Sequence, residues 1–153
     1  MPPLAEVDAT WSVRVQRTDG GARAYARRSS FDVGSQASLR EVDAHPSAVE
    51  YALGALGGDL VCGLQREAAA RQLVVHDVEL TLSARLNNVL VHLGVVGEEG
   101  HAGFQSIRGA LYVGTDASES AVQSAWQAAL TRSPLFNTLS RCAEVNISLR
   151  IVV

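Results

Sequence analysis

Ala48 to Leu64 read AVEYALGALGGDLVCGL, and only Glu50 and Asp59 in this stretch carry a charge at neutral pH. Pro46 and Ser47 precede it. Ser47 is a helix-capping residue, and Glu50 stands three positions on, which is the spacing of a capping box. The predicted helix runs from about Ala48 to Arg71. Its first part is apolar nearly all round, and its tail, QREAAARQ, reads as amphipathic and exposed. A helix that is apolar on every face is buried on every face. In a chain of 153 residues that implies a central helix wrapped by sheet or by a second subunit. Gly57 and Gly58 each cost about 1 kcal/mol relative to alanine inside a helix. The pair therefore predicts a close approach, most simply of two such helices. Asp59 is the anomaly, because a buried carboxylate needs a partner or takes up a proton.

Outward from the helix the pattern changes period. Trp11 to Arg17, WSVRVQR, alternates apolar and polar residues as a strand does. Thr18 to Gly21, TDGG, is a hairpin turn signal. Ala22 to Arg28 returns, Phe31 to Val33 suits a short third strand, and Gly34 to His45 reads as a loop. Downstream, strands are predicted at Leu73–Leu82, Phe104–Val113 and Ala143–Val153. Between the first two lies a connection, NNVLVHLGVVGEEGHAG, that turns glycine-rich near its end. A helix capped by Thr115 or Asp116 should run to about Thr131, followed by a short Pro-started helix from Pro134. The class is α+β. The chain divides into a flexible terminus (1–10), an N-terminal hairpin (11–33), the central helix (47–71) and a C-terminal α/β part (72–153), all within one domain.

Composition narrows the function. The chain is 47% hydrophobic and 19% charged, with a net charge of −3, so it can build a core. All 13 positive residues are arginine, without a basic run, which argues against nucleic acid or an anionic membrane as partner. No segment approaches the ~20 apolar residues of a membrane span. MPPLAEVDATW lacks the features of a secretory signal, so a cytoplasmic location is expected. Two cysteines, Cys62 and Cys142, do not make a disulfide scaffold. His45, His76, His92 and His101 have neither metal-ligand spacing nor a nucleophile context, and there is no G-x-S-x-G. No metal or cofactor is expected.

Two motifs carry a resemblance. SAVEYALGALGGDLVCGL resembles the central helix of the OsmC/Ohr family (osmotically inducible protein C and organic hydroperoxide resistance proteins), with its Pro-x-Glu-Leu-Leu-x-Ala-Ala-Leu-Gly-Ser-Cys pattern. SPLFNTLS, Ser133 to Ser140, is similar to the family's Cys-Pro-Val-x-Asn-x-Leu segment. The resemblance implies curved, antiparallel-rich sheets wrapped around long central helices in an intertwined homodimer. It also implies a thiol peroxidase. One cysteine attacks an organic hydroperoxide as thiolate and becomes sulfenic acid, a second closes a disulfide, and an arginine and a glutamate organise the site.

At the reacting positions this sequence departs from the pattern. Asp59 stands where the reactive cysteine belongs, and Ser133 where the second belongs. Neither has a cysteine beside it. A carboxylate has no two-electron redox chemistry of the thiolate kind, and a serine forms no disulfide. Glu50 matches the glutamate, and the hairpin RTDGGARA offers Arg17 or Arg23, of which Arg23 is preferred. An arginine that favours a thiolate would equally pair with Asp59, so an arginine partner is expected, from this chain or from a second copy. The leading expectation is a homodimer that has lost peroxidase chemistry and binds a small apolar or anionic molecule at its interface. The alternatives are a peroxidase working through Cys62, with or without Cys142, and a structural protein with a vestigial pocket. Ser133 also reads as a helix cap, and Cys62 as a small core residue.

Overall fold

The computed structural model describes residues 9–35 and 44–153. The start of the expected flexible terminus and most of the expected loop after Gly34 lie outside the described residues. The chain separates into two compact units, Met1–Ala48 and Val49–Val153.

In the first unit, β1 (Arg14–Thr18), β2 (Gly21–Ala26) and β3 (Ser29–Val33) form an antiparallel sheet in that order. Asp19 and Gly20 make the predicted turn between the paired Thr18 and Gly21. Arg23 stands directly opposite Asp32 across β2 and β3.

The second unit takes in α1 (Ala48–Ala70) from Val49 on, close to the predicted span. It ends where Gln72 takes a left-handed conformation (φ 57°). Leu73 N–H then donates to Ala68 O (2.9 Å) and Gln72 N–H to Ala69 O (3.1 Å), closing the last turn. After it come β4 (Val75–Asn87), the single turn α2 (Val89–His92), β5 (Gly103–Thr115), α3 (Glu119–Arg132), α4 (Pro134–Leu139) and β6 (Glu144–Val152). The sheet order is β4-β5-β6. β4 and β5 pair antiparallel, whereas β5 and β6 pair parallel, which is why the two helices are needed to carry the chain across. β4 and β5 run longer than predicted. The cap of α3 is Ser118, whose side chain accepts from Ala121 N–H, not Thr115 or Asp116. Thr115 is instead spent closing the end of the sheet, donating to Val74 O (2.6 Å) and accepting from Ala117 N–H (3.0 Å).

β4 and β6 alternate between half-buried apolar and exposed polar residues, so one sheet face is wet and the other meets the helices. The core joins Leu56, Leu60 and Leu64 of α1, Ile107, Leu111 and Val113 of β5, and Val122, Ala125, Trp126 and Ala129 of α3. The helix residues recur every three or four positions, as a single buried stripe requires.

Within the single chain α1 differs from its predicted burial in two respects. In the single chain it is not buried all round: Gly54, Ala55, Gly58 and Cys62 are exposed, so Cys62 is not a core residue here. Its tail is not uniformly exposed either, since Glu67 and Ala68 are buried. Among the described residues the glycine pair meets no second helix of this chain. A Cβ on Gly57 would meet Leu82 of β4 at 3.4 Å, and one on Gly58 would meet nothing. Within this chain the close helix contact is at Gly63, where a Cβ would lie 3.5 Å from that of Ala129 in α3.

Candidate functional site

α1 carries two acidic side chains toward the junction of α3 and α4. The first is Asp59, in the middle of the helix and half-buried. The junction itself is one residue, Ser133, which ends α3 and caps α4 in an extended conformation (φ −80°, ψ 114°). Its side chain is almost wholly buried, with 3% of the residue exposed. Its Oγ donates to Asp59 Oδ2 at 2.5 Å and accepts from Phe136 N–H at 3.0 Å. The capping reading of Ser133 holds, and the same hydroxyl that caps α4 also contacts Asp59. Residues 74 apart in sequence meet because α1 and α3 share one core.

Asp59 and Ser133 are thus brought together. The hydrogen-bond partner of Asp59 is this hydroxyl. Within the second unit no arginine pairs with Asp59; the arginines that form ion pairs there, Arg71 and Arg132, go to Glu67. A carboxylate that keeps part of its surface in water needs only one good donor.

The second acidic residue is Glu67, eight positions later. It is 1% exposed and would be costly without charge compensation. Arg71 Nη1, one turn on in the same helix, donates to Glu67 Oε2 (2.5 Å) and to Glu67 O (3.2 Å). Arg132 Nη1, from the end of α3, donates to Glu67 Oε1. The Arg71 hydrogen bond and then the Arg132 pair hold the Glu67 carboxyl below its ordinary pKa, against the burial that pushes it up. Sequence reading missed this cluster. Its signal was present: Glu67 and Arg71 stand at i,i+4 spacing, and Arg132 directly precedes the predicted site residue Ser133.

The other predicted site residues are placed separately. Nine residues, or two and a half turns, separate Glu50 from Asp59, so the two project from opposite sides of α1. Arg23 lies in the first unit and makes a two-bonded pair with Asp32, Nε to Oδ1 at 2.6 Å and Nη2 to Oδ2 at 3.1 Å. That hydrogen bond lowers the Asp32 pKa and raises that of Arg23. Arg17 is in β1, opposite Ala22. Cys62 and Cys142 are both free and exposed. Cys142 Sγ lies 3.4 Å from Leu139 O.

An apolar groove of about 440 Å³ runs between α1 and β4, lined by Leu53, Gly54, Gly57, Gly58, Val61, Leu80 and Leu82. It opens on the side of the helix away from Asp59, since Gly57 and Asp59 are about 200° apart around the axis. Among the described residues no three His, Cys, Asp or Glu side chains gather as a metal site. No helix among them is long and apolar enough to cross a membrane.

With this geometry in hand the chain can be compared with known proteins. Residues 41–148 match the family model described as OsmC-like protein. No curated protein matches. Among solved structures, an OsmC like protein from Mycoplasma pneumoniae superposes with a TM-score of 0.81 at 13% identity, covering 96% of this chain and 100% of that one. An organic hydroperoxide resistance protein OsmC from Legionella pneumophila gives 0.66 at 12% identity over 93% and 98%. The organic hydroperoxide resistance protein OhrB of Bacillus subtilis gives 0.61 at 16% identity over 93% and 98%. At such identities the structural likeness speaks for the fold.

Proposed function

Because the chain belongs to the OsmC-like protein family, we propose that it is a member whose paired-thiol centre has been replaced by a carboxylate–hydroxyl pair, and that it is not a thiol peroxidase at that centre. The observation that carries this reading is the 2.5 Å contact between Asp59 and Ser133. These are the two positions where the family resemblance puts its cysteines. A peroxidatic and a resolving thiol must be able to meet, and the residues at these positions do meet, but as oxygen acids that cannot be oxidised to a disulfide. The Ser133 hydroxyl donates to Asp59 and accepts from Phe136 N–H, and with 3% of the residue exposed it serves in this reading as a cap within the fold.

The working form in this reading is a homodimer that binds a small apolar or anionic molecule between its copies. Support comes from the exposed small and apolar residues of α1 and from the groove beside them, surface that a second copy would cover. Glu50 and Arg23 are the further residues assigned to that site. A second reading, a peroxidase working through Cys62, is favoured by one observation: the thiol is exposed, one helical turn beyond Asp59.

The test is a peroxidase assay with cumene hydroperoxide and a dithiol reductant. The native chain should leave the peroxide unconsumed, and the double substitution Asp59→Cys with Ser133→Cys should create turnover. Consumption by the native chain that disappears in Cys62→Ser would overturn the proposal in favour of the second reading.

A further inference from the structure

Glu67 has more partners than neutrality demands. Arg71 lies one turn away on the same helix and is fixed through a single nitrogen to both the carboxylate and the backbone carbonyl of Glu67. That contact already balances the buried charge inside α1. Arg132 is a second cation on the same carboxylate, reaching it from another helix although 62% of its own side chain is exposed. A solvent-facing arginine gains little from a surface partner, but here its end is drawn to a group that is 1% exposed. Among the described residues this is the one ion pair that ties α1 to α3.

Its position along the chain gives it leverage. Arg132 is the last residue of α3, and the next residue, Ser133, is the whole link to α4. The hydroxyl must keep one rotamer to reach Asp59 and Phe136 N–H at once. A small rotation of the backbone at that link would carry Oγ away from both. Anchoring residue 132 to α1 removes that rotation.

We infer that Glu67, acting through Arg132, is a positioning residue that holds Ser133 against Asp59. The inference rests on the reading of Asp59 and Ser133 as the family's paired site, and it adds the element that sets their separation. Arg132 is the connector, while Arg71 keeps Glu67 ionised and in register.

The experiment uses the double substitution Asp59→Cys and Ser133→Cys, whose disulfide forms only when the two positions come within the geometric limits of the bond. The chain is equilibrated in glutathione buffers, and the oxidised fraction gives the effective concentration of one thiol at the other. Adding Glu67→Gln should lower that concentration tenfold or more. Adding Val122→Ala, which loosens the core of α3 without touching the clamp, should leave it within twofold. An unchanged value with Glu67→Gln overturns the inference. If the double-cysteine chain forms no internal disulfide even with Glu67 in place, the paired-site reading fails instead. The clamp is then decided in the otherwise native chain by hydrogen exchange of the Phe136 amide, which donates to Ser133 Oγ. Exchange at least tenfold faster with Glu67→Gln supports the clamp, and unchanged exchange overturns it.

Discussion

Two acidic residues of one helix, two turns apart, solve the same problem in different ways. Asp59 keeps part of its surface in water and is served by one neutral donor, the Ser133 hydroxyl. Glu67 is sealed from water and is served by two arginines. The difference follows from desolvation. A half-wet carboxylate loses little of its hydration, while a fully buried one loses nearly all of it and needs opposite charge in return. It also separates two tasks. In the proposed reading the Asp59 end carries the site and the Glu67 end holds it in place.

The largest effect should come from removing what both ends stand on. Trp126 is the largest fully buried side chain, packed where α3 meets the core. Trp126→Ala should cost about 3–5 kcal/mol and release Ser133 and Arg132 from α1 together, as measured by urea unfolding. A variant that unfolds at the native midpoint would mean that the two sites do not share this platform.

A smaller and pH-dependent effect should separate the two acids. The folded pKa of Glu67 is lowered, so the stability it contributes is fully present above the unfolded-state value, about 4.3. That contribution is lost as pH falls through the folded value. The melting temperature of the native chain and of Glu67→Gln should therefore differ most at neutral pH and converge as the pH drops below about 4. Asp32 is also held low by Arg23, and its contribution cancels in this difference. A gap that stays constant from pH 7 to pH 3 would show that Glu67 contributes packing and not charge.

Ser133→Ala should have the smallest effect, about 1–2 kcal/mol by thermal denaturation. It removes the cap of α4 and leaves Asp59 to find water in place of the hydroxyl. A loss as large as that of Trp126→Ala would mean that Asp59 is more deeply committed to this partner than its exposure implies.

Much of this was legible in the sequence, for reasons that are local. The hairpin at Asp19–Gly20, the helix from Ala48, the Ser133-Pro134 start of α4 and the three later strands each announce themselves within a few residues, through turn chemistry, capping and period. The resemblance of the two motifs singled out Asp59 and Ser133, but not their contact. Failures occurred where the answer depends on residues far away in the chain. The cap of α3 moved to Ser118 because Thr115 is needed at the sheet end. Glu67 looked like one more charge on an amphipathic tail until α3 closed over it.

The sequence by itself determined the class of fold, the family and the absence of thiols at Asp59 and Ser133, because these reside in residue identity and short spacing. Only the tertiary structure decided that Asp59 meets the Ser133 hydroxyl, that Cys62 is exposed in the single chain, and that Glu67 is the buried acid of α1. Burial and partnership arise from packing between α1, β5 and α3, and no single segment carries that information.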